Sequence, residues 1–331
     1  MLIEHNNTTG GKWLNDNLVC PRDHRLLRTE GTTLVCEENH RYPVIEGVPV
    51  MLLDDVDATH GACHQSLAQA HGPVPIEDVP KGPEEVDPFV QKAVLGTCGI
   101  MYKPLLGKLS RYPIPELRLP VADGQVLLDI GCNWGRWCIS AARRGYSPVG
   151  IDPSLDAILA ARRVCRQLGL RASFVVADAR YLPFMTASMP VVFSYSVIQH
   201  FSKEDARRAI REVGRVLQPG GTSLIQMPNA LGLRSLYHQS LRLLRGSKQN
   251  LFDVRYWRVP ELASAFQAAI GPTTLSVDGF FGLGIQANDL DLLPARYAAV
   301  VQASERLRRL TASAPAMLHF ADSLYCLSVR P

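Results

Sequence analysis

Three acidic residues in the central part of the chain each stand at or near the end of an apolar run: Asp129 in VLLDI, Asp152 in VGID and Asp178 in VVADA. The first run continues as LLDIGCNWGRW, a strand that turns at Gly131 and restarts as a helix after Gly135. Gly131 allows a backbone to approach a ligand, and the freed N–H groups at the start of the following helix favour an anionic group. Such a loop suits a nucleotide. It is not a dinucleotide loop, because G-x-G-x-x-G counted from Gly131 meets Asn133 and Arg136 at its second and third positions, and no Gly-Lys-Ser/Thr phosphate loop occurs. Asn133 tolerates left-handed dihedrals better than other non-glycine residues, so the turn survives and gains a polar side chain.

The surrounding pattern has to position these residues. After Gly124, apolar strands (VLLDI, SPVGI, SFVVA, PVVFSY, TSLIQM) alternate with helices expected near 135–144, at 154–168 and at 202–217. That rhythm specifies an α/β fold, a doubly wound, mostly parallel sheet that binds ligands at its carboxyl edge. Ahead of it, residues 18–53 read as a small β-rich module, residues 54–88 as a linker rich in Pro, Gly and acids, and residues 88–110 as a helical pattern broken by Gly96, Gly99 and Pro104. The expected division is 1–56, 57–120 and 121–331.

Of the 331 residues, 47% are hydrophobic, ample for a large core, and the formal charge of +4 does not by itself call for nucleic acid. Charge is uneven: residues 229–258 hold Arg234, Arg242, Arg245, Lys248, Arg255 and Arg258 against Asp253 alone, whereas residues 77–87 hold Glu77, Asp78, Glu84, Glu85 and Asp87 against Lys81. Both runs are first read as solvated faces. Without a basic start and apolar stretch at the N-terminus or a long apolar span, the chain reads as soluble and cytoplasmic, with no membrane partner. Eight scattered cysteines suggest packing or metal roles rather than disulfides.

Asp129, Gly131 and Gly135, then Asp152, Asp178 and the turn Leu217-Gln218-Pro219-Gly220-Gly221 make four matches in order. In these the sequence resembles the class I S-adenosylmethionine-dependent methyltransferases over about residues 120–331. The resemblance implies a seven-stranded Rossmann-like sheet and S-adenosyl-L-methionine as cofactor. Asp129 would face the ligand's ammonium, the loop Gly131-Cys132-Asn133 and Gly135 its methionine carboxylate, and Asp152 with Pro153 the ribose hydroxyls. Asp178 would take the adenine amino group and the Ala179 N–H the ring. Where such families often start the fourth strand with Phe-Asp, this chain has Met189-Pro190, which leaves Ser194 and Tyr195 as the nearer candidates.

Cys20-x3-His24 and Cys36-x3-His40 give two pairs of soft ligands at ribbon-like spacing. The stretch resembles the zinc-ribbon modules found on rRNA guanine methyltransferases and as partners of tRNA and protein methyltransferases, although Asp23 stands at the usual second cysteine. Either zinc sits on Cys20, His24, Cys36 and His40, or the ribbon is metal-free and held by Leu18, Leu34, Val44, Ile45 and Val48 with both cysteines buried. His60, Cys63, His64 and His71 form a looser cluster with nothing nearby to fix a geometry.

The methyl acceptor is not written in these motifs. The segment 229–258, with Tyr237, His238, Arg255, Tyr256 and Trp257, is the expected acceptor wall. It suits a small molecule, such as one of specialised biosynthesis, or alternatively RNA read with the ribbon's help. In YSVIQHF, His200 follows the fourth strand. The phosphobase N-methyltransferases, which this stretch resembles, pair a histidine here with a lid tyrosine, which would be Tyr102 or Tyr112. The expected catalytic set is thus His200, Tyr102 and Tyr195.

Overall fold

The computed structural model describes all residues except 1–8, 59–60, 71, 73–81, 83, 246–252 and 282–286. Glu77, Asp78, Lys81 and Lys248 of the charge runs, and His60 and His71 of the looser cluster, lie outside the described residues. In chain order the elements are α1 (Thr9–Asn17), β1 (Leu27–Glu30), β2 (Thr33–Cys36), β3 (Arg41–Ile45), β4 (Val48–Pro49), α2 (Gly61–Ala70) and α3 (Pro88–Cys98). There follow β5 (Val126–Ile130), α4 (Arg136–Arg143), β6 (Ser147–Asp152), α5 (Leu155–Gln167), β7 (Ser173–Val176), β8 (Met189–Ser194) and α6 (Lys203–Val216). The last are β9 (Leu217–Pro228), α7 (Leu233–Arg245), α8 (Val259–Ala269), β10 (Thr273–Gly279), α9 (Ala295–Leu310) and β11 (Ser323–Val329).

The large sheet has seven strands in the order β10-β11-β9-β8-β5-β6-β7. The five strands β7, β6, β5, β8 and β9 run parallel, and β11 lies antiparallel to both neighbours. This is the Rossmann-like arrangement expected from the alternating pattern. Strand β5 is buried at every position, as a central parallel strand covered on both faces must be. Pro190 inside β8 cannot donate to the ladder, and the β8–β9 register shifts there, between Met189 and Val191.

The N-terminal β1–β4 sheet is antiparallel, as its turn-punctuated runs predict. It does not keep a core of its own. Leu18, Cys20, Leu34, Cys36, Tyr42 and Val44 pack in one cluster with Leu128, Ile130 and Val175 of the large sheet. Val50 pairs in parallel with Val176, and Met51 N donates to Val176 O at 2.7 Å, so this chain segment covers the β7 edge.

The stretch read as a linker contains α2. Ser66 Oγ donates to Pro153 O at 2.7 Å and accepts from Leu155 N at 2.8 Å, while Gln65 and Gln69 both donate to Asp156. That helix is docked on the start of α5. Among the described residues no helix is long and apolar enough to cross a membrane.

Candidate active site

At the carboxyl ends of β5, β6, β7 and β8 lies a cavity of about 630 Å³, within the usual range for ligand sites. Gly131, Cys132, Asn133, Asp152, Pro153, Asp178, Ala179, Tyr195 and His200 line it, together with Arg136 and residues of α2 and α3.

The β5–α4 loop is shaped by three residues with positive φ: Gly131 (74°), Asn133 (46°) and Gly135 (82°). A Cβ on Gly131 would fall 2.2 Å from Val197 Cγ2. Gly135 caps α4, and a Cβ there would meet Ala161 Cβ at 3.1 Å; the residue serves helix packing and does not itself line the cavity. Asn133 holds its left-handed conformation with its own side chain, whose Oδ1 accepts from Trp134 N at 2.9 Å.

Asp152 accepts from Asn133 N through Oδ2 and from Ser154 N through Oδ1, both at 3.0 Å. Burial nevertheless pushes its carboxyl up to about 6. Asp129 lies just behind the cavity wall, buried, with Oδ2 accepting from the Cys138 thiol at 3.3 Å. Its Oδ1 has no hydrogen-bond partner, and burial, aided by the charge of Asp152, pushes it up to about 7. A buried carboxylate oxygen left open costs free energy unless a cationic or donor group completes it. Asp178 is held by Arg180, which donates to it at 2.8 Å and continues to Asp205 at 3.1 Å.

Helix α3 ends over this loop. Trp134 Nε1 donates to Thr97 Oγ1 at 3.0 Å, and Arg136 Nη1 to Thr97 O at 2.9 Å. Arg136, set aside as a misfit for a third glycine, is therefore the buried tie between loop and lid. A fingerprint written in glycines could not reveal it.

A second chamber of about 280 Å³ shares Gly96, Thr97, Tyr195 and Ser196 with the first. Gln199 faces the second chamber and His200 the first, so the turn Ile198–His200 stands at the partition. From the expected acceptor wall, His238 and Tyr256 line the second chamber. Arg234 Nε donates to His238 Nε2 at 3.0 Å, and burial with the Arg234 charge lowers the His238 pKa, which keeps the ring neutral. Tyr237 is exposed, Trp257 is buried beneath Lys203 and Arg207, and Arg255 donates to His200 O at 3.0 Å.

Several expected residues stand elsewhere. Ser194 lies inside β8, where its hydroxyl donates to Ile130 O at 3.0 Å; Ser196, two residues on, lines both chambers instead. Tyr102 lines neither chamber: it is fully buried and donates to Asp289. Tyr112 accepts from Asp87 N at 2.9 Å and donates to Gln167. No lid tyrosine therefore reaches His200. Tyr195 sits at the partition, its ring tilted against Trp137 at 4.8 Å, but its hydroxyl donates to Asp278 Oδ2 at 2.9 Å and burial raises its pKa well above the usual phenol value. In the N-terminal sheet, Cys20, Cys36 and His40 converge with Asp23, not with His24. His24 has φ of 59°, closing the turn, and its ring lies toward Arg215 and Glu212.

A parallel sheet with one reversed strand, a glycine-bearing loop after its first strand and carboxylates after the next two define a class I S-adenosylmethionine-dependent methyltransferase domain, with S-adenosylmethionine as its cofactor. Residues 127–221 match the family described as the methyltransferase domain.

Over 107 residues the chain is 36% identical to Methyltransferase GfsG of Streptomyces halstedii, covering 31% of this chain and 38% of that one. Over 143 residues it is 28% identical to a tRNA (carboxymethyluridine(34)-5-O)-methyltransferase of Mus musculus, covering 42% and 20%. Over 102 residues it is 33% identical to norajmaline N-methyltransferase of Rauvolfia serpentina, covering 30% and 34%. The chain thus spans less than half the length of these curated relatives. Among solved structures, a phosphoethanolamine N-methyltransferase of Haemonchus contortus shares 19% identity over 76% of this chain and 61% of its own, with a TM-score of 0.49.

Proposed function

We propose that the chain methylates a small molecule held in the second chamber, with residues 57–120 acting as the lid. The observation that supports this reading is the shared wall of Gly96, Thr97, Tyr195 and Ser196, which sets a second chamber directly beside the first. Bound S-adenosylmethionine supplies an electrophilic methyl group on a sulfonium centre. Asp152 would accept hydrogen bonds from the ribose hydroxyls, Asp129 would offer its open Oδ1 to the ligand's ammonium, and Asp178 with Ala179 N–H would read the adenine. Gln199 and Tyr256 orient the acceptor, while the ceiling of α3 keeps water out. His200, at the partition, takes a proton from an acceptor hydroxyl or ammonium.

An RNA acceptor is the second reading, and the tRNA-methylating relative favours it. Against it, the aromatic Trp257 is buried and Arg234, Arg242 and Arg255 are bonded within the protein, which leaves Tyr237 and Arg258 as the exposed aromatic and cationic groups among the described residues of this segment. The deciding experiment screens small-molecule acceptors with S-adenosylmethionine and follows product mass, alongside RNA binding at rising salt. A methylated small molecule with no RNA retention supports the reading. RNA binding that weakens steeply with salt, together with methyl transfer to RNA alone, overturns it.

A further inference from the structure

The donor atoms of Cys20, Asp23, Cys36 and His40 all lie within 4.8 Å of one another. His40 Nδ1 is 3.5 Å from Cys20 Sγ, 3.3 Å from Cys36 Sγ and 3.2 Å from Asp23 Oδ2, and Cys36 Sγ is 3.6 Å from that same oxygen. One imidazole nitrogen carries either one proton or one lone pair, so hydrogen bonding serves no more than part of this convergence. A cation at the common centre serves all of it. With zinc–ligand lengths of about 2.3 Å to sulfur and about 2.0–2.1 Å to nitrogen and oxygen, the edges of a tetrahedron are about 3.6 Å for S···N, 3.5 Å for S···O and 3.3 Å for N···O. The four measured separations lie within about 0.3 Å of these edges.

We propose that Cys20, Asp23, Cys36 and His40 form a closed structural site for zinc or a similarly borderline-soft divalent cation. Two tight turns present the ligands. In the first, His24 N donates to Cys20 O at 2.9 Å, and His24 takes the left-handed position that closes the turn, which leaves Asp23 as the inward-facing residue. In the second, Asn39 N donates to Cys36 O at 3.0 Å with φ of 63°, and His40 follows it inward. Both cysteines are fully buried, and Tyr42 Oη lies 3.1 Å from Cys20 Sγ, where it donates to the thiolate as an outer partner. Four protein ligands leave no open coordination position, so the metal clamps the two turns to each other and takes no part in methyl transfer. The inference is independent of the acceptor and of the reaction.

The test uses the full chain purified from zinc-replete culture, with elemental analysis, and the chain refilled with cobalt(II), read by its absorption. About one equivalent of zinc is expected, with the intense visible bands of tetrahedral cobalt and a sulfur-to-cobalt charge-transfer band. Competition with a chelator ranks two variants: Asp23→Ala should weaken zinc at least tenfold, and His24→Ala should leave it unchanged. Asp23→Cys, which keeps a ligand in place, should restore or tighten binding. A folded, metal-free chain that gives no tetrahedral cobalt spectrum overturns the site. Zinc lost in His24→Ala but kept in Asp23→Ala overturns the assignment of Asp23.

Discussion

Acidification should weaken S-adenosylmethionine binding before it unfolds the protein. The carboxyl of Asp152 is pushed up to about 6 and that of Asp129 to about 7, in both cases first by burial. Only the ionised forms accept the ribose hydroxyls and face the ammonium at full strength, so below these values the ligand must displace a proton in order to bind. Affinity should fall about twofold between pH 8 and pH 7 and more steeply below. At pH 5 the Asp152 proton alone costs about tenfold, and Asp129 up to about a hundredfold more. Because the charge of Asp152 helps to raise Asp129, the pair titrates in two shared steps, and the combined loss lies between these bounds. Calorimetry at several pH values, in buffers of different ionisation enthalpy, reads both the affinity and the protons released, which should lie between one and two near pH 6. Asp152→Ala should cost about 1.5–3 kcal/mol at pH 8 and remove one of the two steps. Constant affinity down to pH 5 in a folded protein, or an unaltered Asp152→Ala, would refute the reasoning.

The same carboxyls act on the stability of the ligand-free chain with the opposite sense. A native pKa raised above the unfolded 3.8 means that the folded state binds more protons between about pH 4 and 7, so this pair's contribution improves as pH falls through that window. Asp129→Asn should therefore raise the ligand-free melting temperature at pH 8, by about 2–4 °C per kcal/mol relieved, while weakening the cofactor; a lower melting temperature would contradict the burial argument. Gly131→Val sets a side chain against Val197 and should abolish cofactor binding by calorimetry while leaving the N-terminal sheet folded. His200→Asn should lower turnover by about 10²–10⁴ with nearly constant cofactor affinity, and retention of most turnover in a steady-state assay would return the residue to a packing role. His238→Ala should raise the acceptor KM and leave the cofactor Kd unchanged.

Much of the sheet was legible because a buried parallel strand is a continuous apolar run with turn residues at its ends, which VLLDI, SPVGI and SFVVA display. The candidate cofactor carboxylates were legible for the same reason, since each stands at or near the end of its strand. What escaped was set by tertiary contact. Helix α2 hides in a segment of weak periodicity and is held by Ser66 and two glutamines on the start of α5, partners that lie about ninety residues away. Ser194 and Ser196 differ by one strand period, and only the end of β8 between them decides which one reaches the cavity. Tyr102 was placed by type and distance along the chain, yet Asp289, far along the sequence, holds it in the core. In the N-terminal turn, a shift of one residue exchanged His24 for Asp23, because the positive φ belongs to His24.

The proposed division into a cofactor chamber and an adjoining acceptor chamber is tested most directly by a crystal structure with S-adenosylhomocysteine. The adenosine should lie against Asp152, Asp178 and Ala179, with the amino group toward Asp129 and the sulfur facing the Tyr195–Ser196 partition. No bound ligand at saturating concentration, or a sulfur turned away from the second chamber, would contradict it.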